Sequence, residues 1–271
     1  MNRITRGLGV GRLRRPVMVL AALAAVAGFA AAPSQAAKAD PSICPGATVA
    51  AFGPNVCVFN DTMSQATIQA DVDNIASQQV SNQFGSQRFA IFFEPGTYGS
   101  STDPLIFQVG YYTSVAGLGR SPGDVTINGQ INVYNQCFGT NCIALDNFWR
   151  SLSNLTINVT GNKPGGTSCS ANTDFWAVSQ AAPLRRVHVN GLLSLMDYCD
   201  GAPDFASGGF IADSEFTGAS ITNGSQQQWV TRNSNLDGWS NGVWNQVFCG
   251  DNQRKKRCVK WFRRVSGGRG E

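Results

Sequence analysis

Five short segments repeat one hydropathic pattern: "DVTING" from Asp124, "NLTINV" from Asn154, "RVHVNG" from Arg186, "DSEFTG" from Asp213 and "NSNLDG" from Asn233. Each alternates polar with apolar or small residues, the period-two signature of a strand with one buried face. Most then meet glycine, which permits the sharp turn that follows. Their starts lie 30, 32, 27 and 20 residues apart. Recurrence at this interval predicts a solenoid in which each unit buries its apolar side only by stacking on the next. Val125/Ile127, Leu155/Ile157, Val187/Val189, Ser214/Phe216 and Ser234/Leu236 are then expected to point inward. Parallel stacking brings equivalent positions about 4.8 Å apart. The expected outward columns are Asp124, Asn154, Arg186, Asp213, Asn233; then Thr126, Thr156, His188, Glu215, Asn235; then Asn128, Asn158, Asn190, Thr217, Asp237.

Upstream, "FFEPGTYGSSTDPLIFQVGYYTSVAGLG" from Phe92 shows the same construction of short apolar runs broken by glycine. A helical period occurs only before it, in "TMSQATIQADVDNIASQQV". There Ile68, Val72, Ile75 and Val80 share one face, and Ser64 is placed as an N-cap. An open solenoid end must be covered, so this helix is expected to cap it. The predicted fold class is all-β, a parallel β-helix with an N-terminal capping helix.

"FEPGTY" and "VGYYTSVAGLGRSPGDVTING" resemble the opening rungs of the pectin lyase-like, right-handed parallel β-helix superfamily. "NFWRSLSNLTI", "WAVSQAAPLRRVHV", "GGFIADSEF", "QQWVTR" and "GWSNGVWN" resemble secreted microbial proteins labelled coagulation factor 5/8 type domain proteins, or adenylyl cyclases. No phosphate-cradling loop leads into a helix, so the cyclase label has no support in the residues. The resemblance covers about Cys44 to Gly250 and implies enzymes acting on polysaccharides laid across an outer face. In such relatives the β-helix continues beyond "VWN", so the domain over residues 38–250 is expected to be incomplete at its C-terminal end.

Composition adds compartment and partner. Arg12, Arg14 and Arg15 precede an apolar run from Val17 to Ala32 and small residues near Ala36. That order predicts a secretory signal over residues 1–37 and a secreted, extracellular protein. Eight cysteines in an exported chain read as disulfides. Local pairs are expected: Cys44 with Cys57, Cys137 with Cys142, and Cys169 with Cys199. Zinc is not expected, since "CFGTNC" lacks its spacing and His188 is the sole histidine. From Lys38 to Gln253 there are eight basic and sixteen acidic residues, so the body is near −8 although the chain is formally +4. It lacks the basic surface a nucleic acid requires, and no later segment is long enough to span a membrane. After Gly250, residues 251–271 place eight basic residues within sixteen positions. Three readings stand: a basic arm for an anionic polymer, a solvated disordered tail, or a disturbed reading frame. None of them adds a rung.

Glycosidic hydrolysis needs a proton donor and a second carboxylate that activates water or attacks carbon. Asp213 and Glu215 are expected on one strand face, roughly 6.5–7 Å apart at the backbone, with Asp237 one rung on. Arg186 and His188, one rung back, are expected to hold a sugar hydroxyl or temper the carboxylates. Trp229 and Trp239 flank this rung and are candidate sugar-stacking platforms. The bland alternative is a solvated face with asparagine ladders and packed tryptophans. Asp197, Asp200 and Asp204 in "MDYCDGAPDF" offer oxygen ligands to Ca²⁺. Their spacing matches no metal loop, so a solvated turn and no cofactor are expected. The expected function is a glycoside hydrolase on an extracellular polysaccharide; a noncatalytic binding solenoid and a polysaccharide lyase remain the alternatives.

Overall fold

The computed structural model describes residues 43–219, 221–224, 228–240, 245–251 and 259–262. The inward positions named above carry the fold. Val125, Ile127, Leu155, Ile157, Val187, Val189, Phe216 and Leu236 are all buried in one continuous core. Ser214 and Ser234, also inward, are buried too. On the first face, Val56–Phe59, Phe89–Phe93, Thr113–Gly117, the first part of Arg150–Val159, the first part of Leu184–Asn190, Gly208–Ala212, Gln228–Arg232 and Asn245–Cys249 pair in parallel in that order. On a second face the hexapeptides stack in the expected register. Thr126 pairs with Thr156, Thr156 with His188, His188 with Glu215, and Glu215 with Asn235. A third face runs through Thr173–Phe175, Leu192–Ser194, Ile221–Thr222 and Trp239–Ser240. The chain is a parallel β-helix.

One expectation about the hexapeptides fails at their first residue. Asn154 (φ 54°), Arg186 (φ 55°), Asp213 (φ 53°) and Asn233 (φ 49°) are left-handed corner residues that turn the chain from the first face to the second. Asn and Asp tolerate this conformation better than other side-chain-bearing residues. Asn154 fixes its corner by donating from Nδ2 to the carbonyls of Gly117 (2.8 Å) and Gly119 (2.7 Å). Asp124 does not belong to this column: it closes a 3-10 turn, Pro122–Asp124, where its carboxylate accepts from the Ser121 amide and hydroxyl. Inward Ser214 and Ser234 serve the same corner. Ser214 Oγ accepts the Val187 amide and donates to the Ala212 carbonyl. Beyond the corner the third outward column forms the ladder expected of asparagines. Asn158 donates to Asn128 (2.9 Å), Asn190 to Asn158 (2.8 Å), and Thr217 to Asn190 (2.6 Å).

Helix α1 (Gly46–Phe52) is short; helix α2 (Gln65–Gln79) is the expected cap. Ser64 Oγ accepts the Thr67 amide at its start, and Ile68, Val72 and Ile75 face the core. The cap also closes the open edge by hydrogen bonding. Gln69 Nε2 donates to the Ile106 carbonyl (2.7 Å) while its Oε1 accepts the Ile106 amide (3.2 Å), as a neighbouring strand would. Buried Gln79, rather than Val80, ends the face; its Nε2 donates to the Tyr111 carbonyl at 2.7 Å. Gly110 is required there, because a Cβ would meet the Gln79 backbone at 2.3 Å.

Three disulfides join the expected pairs, Cys44–Cys57, Cys137–Cys142 and Cys169–Cys199. Two parts of the tail lie among the described residues. Asp251 is buried, accepting the Ser234 amide (2.8 Å) and the Thr231 hydroxyl (2.5 Å). Val259–Phe262 pairs antiparallel with Asn245–Cys249, a strand that does not continue the parallel rungs. The expected signal over residues 1–37 lies outside the described residues, as do residues 252–258 and 263–271 of the tail. Among the described residues no helix is long and apolar enough to cross a membrane.

Candidate functional site

The acidic cluster expected on one strand face is split by the corner. Asp213 is the left-handed turn residue, Ser214 points inward, and Glu215 begins the second face. Strand alternation therefore does not set the spacing of the two carboxylates. Asp213 lies between two arginines, Arg185 Nε at 3.5 Å and Arg232 Nη2 at 3.4 Å, and accepts from Asn233 Nδ2 at 3.3 Å. Arg186 turns the other way: its Nε and Nη2 donate to Asn154 Oδ1 at 3.2 and 3.0 Å, and Nη2 also to the Arg120 carbonyl. It does not hold Asp213. Glu215 is exposed, in register with His188 on one side and Asn235 on the other, and accepts from Asn235 Nδ2 at 3.3 Å. Asp237 reaches back to the Gly218 amide at 3.1 Å.

The two tryptophans expected as platforms are packing groups. Trp229 is 1% exposed, and Gly209 in the paired strand leaves room for its ring. Trp239 is half-buried, edge-on to Trp229 and to Phe248 at 6.3 and 5.3 Å between centroids. A sugar cannot stack on a buried indole, so Trp229 does not serve as a platform. Among the described residues, Trp149 is an exposed indole that periodicity does not single out, 44% accessible and stacked on Tyr112.

A cavity of about 770 Å³ opens between the end of the cap and the Cys137–Cys142 loop, with Asp146, Lys163, Asp200, Tyr111 and Tyr134 among its lining. The acidic loop expected to be a solvated turn is anchored here. Lys163 Nζ bonds both oxygens of Asp200 at 2.9 Å, lies 3.4 Å from Asp197 Oδ2 and sits 4.2 Å over the Tyr134 ring. Burial pushes the Asp197 carboxyl up to about 6, with neighbouring Asp200 adding to the rise and Lys163 opposing it. Asp204 is raised as well, by burial and then by Asp200. Asn135 Oδ1 and Asp146 Oδ1 are buried in this wall without a hydrogen-bond partner among the described residues. Deeper in the core, Asp174 accepts the Ile131 amide at 2.7 Å, and burial pushes its carboxyl up to about 8. Among the described residues no group of three or more histidine, cysteine, aspartate or glutamate side chains is arranged to hold a metal.

Fold and sites thus define a parallel β-helix with polar outer faces and aromatic-lined hollows. No family model matches the chain. It is 44% identical over 248 residues, 88% of its length, to the exo-β-1,3-glucanase of Streptomyces sp. (strain SirexAA-E / ActE), of which it covers 37%. The structure of sacteLam55A from Streptomyces sp. SirexAA-E is similar over 78% of this chain and 34% of that one, with 42% identity and a TM-score of 0.61. A variant of sacteLam55A in complex with glucose gives 41% identity and a TM-score of 0.58, over 73% of this chain and 32% of that one. The chain spans about a third of the length of these relatives. They overturn the resemblance to coagulation factor 5/8 type proteins and the pectin lyase-like label. The β-helix that the label implied stands.

Proposed function

We propose that this chain is a glycoside hydrolase acting on a β-1,3-glucan outside the cell. What carries the reading is the 44% identity over 88% of the chain to an exo-β-1,3-glucanase, together with the shared backbone of sacteLam55A over most of the same length. Disulfides support export, because they persist in oxidising compartments. So does the basic, apolar and small-residue order of residues 1–37.

Within this reading Asp213, Glu215 and Asp237 are the proposed acid groups, and Arg186 and His188 the proposed hydroxyl holders. Glu215 is the best placed of them, exposed beside the His188 imidazole and not ion-paired to the arginines that hold Asp213. Hydrolysis asks one group to protonate the leaving oxygen and another to activate water or attack the anomeric carbon. The test is glucose and reducing-sugar release from a linear β-1,3-glucan, a β-1,4-glucan and polygalacturonate, with Glu215→Gln and Asp213→Asn alongside. Release from the β-1,3-glucan, lowered at least about a hundredfold in Glu215→Gln, is expected. Release unchanged in both amide variants removes these acids from the site; no release from any β-1,3-glucan contradicts the function.

A further inference from the structure

The corner that opens the first face carries two aromatic side chains where backbone chemistry disfavours them. Tyr112 (φ 56°), Trp149 (φ 54°) and Ala181 (φ 58°) occupy equivalent positions of successive rungs, and the next rung places Gly208 (φ 121°) there. Gly208 and Ala181 show that small residues satisfy this corner. A left-handed conformation retained for bulky rings is a strain that marks the side chain as the reason for it.

The two rings are stacked, centroids 5.2 Å apart and 8° from parallel. The Arg88 guanidinium lies 3.4 Å over the Tyr112 ring centroid. Together they line a hollow of about 530 Å³ whose rim includes Asn55, Ser114 and Ser151. The loop behind Trp149 is fixed. Asn147 Nδ2 donates to the carbonyls of Tyr134 (2.9 Å) and Ala177 (2.8 Å), while buried Arg150 donates to those of Phe148 (3.1 Å) and Val109 (2.7 Å). A ring held in place before binding loses little freedom on binding.

We propose that Trp149, backed by Tyr112 and Arg88, is a subsite that stacks a glucopyranose ring of a β-1,3-glucan chain. A pyranose offers a C–H face to an indole and equatorial hydroxyls to a polar rim, and this hollow provides both surfaces. The choice of glucan rests on the function proposed above; the stacking does not.

The test is oxidation of indoles by N-bromosuccinimide with and without laminarihexaose, read at Trp149 by peptide mass mapping. It is joined to calorimetric affinities for the wild type, Trp149→Ala and Arg88→Ala, with folding checked by circular dichroism. Laminarihexaose should protect Trp149, and Trp149→Ala should weaken binding about tenfold. Arg88→Ala leaves the corner backbone alone and should weaken it about threefold. Protection without glucose release keeps the subsite and removes hydrolysis. Glucose release with Trp149 oxidised equally in sugar overturns the subsite and keeps the function. Preferential protection by oligogalacturonate overturns the neutral-sugar assignment.

Discussion

Replacing Ile157 by alanine tests the stacking of the rungs most sharply. Ile157 is fully buried on the second face, paired in register with Ile127 before it and Val189 after it. The change removes three buried carbons, about 2.4 kcal/mol of transfer free energy at ~0.8 kcal/mol each. A residual cavity adds to this, because neighbours in a solenoid are held by their own rungs and collapse only partly, for a total of about 3–4 kcal/mol. Urea unfolding followed by tryptophan fluorescence, with disulfides intact, gives the loss from the shift in midpoint at constant slope. The outward Thr126→Ala should cost less than about 0.5 kcal/mol in the same assay. Because Ile127 and Ile157 wall the same space, the Ile127→Ala/Ile157→Ala pair should depart from additivity by about 0.5 kcal/mol or more. A loss below about 1.5 kcal/mol with strict additivity would refute the stacked register.

Two further substitutions probe the polar framework. Asp174 holds its proton in the folded chain up to about pH 8, whereas the unfolded carboxyl loses it near 3.8. The contribution of Asp174 to stability is therefore full below about pH 4 and is lost as pH rises toward 8. Asp197 adds a fall of the same sign between 3.8 and about 6. Asp174→Asn keeps an acceptor for the Ile131 amide and cannot ionise, so the melting temperature of the variant should decline less between pH 4 and pH 8; parallel curves would exclude Asp174 as the cause. Asn158→Ala breaks two bonds of the outward ladder, to Asn128 and from Asn190, and should cost about 1–2 kcal/mol in urea midpoint. A neutral effect would mean that solvent replaces the ladder.

What could be read in the sequence was whatever obeys a period. The inward series from Val125 to Leu236 alternates strictly, so burial and register followed, and Ser64 with Ile68, Val72 and Ile75 marked the cap. The corners obey no period. A single left-handed residue looks like one more polar strand position, so in the sequence Asp213 and Asn233 read as strand residues and the acidic pair falls on one face. Arg186 carries no sequence signal of a corner, since arginine has no preference for that conformation. Trp229 was legible after all: in "QQWVTR" it shares parity with buried Thr231, and both point inward. Trp149 was not, because its exposure comes from a corner and its orientation from Asn147 and Arg150, which are contacts between rungs. The chemistry is the least legible layer. Carboxylates on an outer face are as much a solvated surface as a site, and only the likeness to glucan-hydrolysing relatives favours one reading.

The most direct measurement is the product series from laminarihexaose labelled at its reducing end, resolved by chromatography from the first minutes of reaction with the purified chain. Free glucose together with a labelled pentasaccharide is expected first, then progressively shorter labelled products. Hexasaccharide left intact at enzyme concentrations that bind it, or unsaturated products of a lyase, would contradict the proposed hydrolysis.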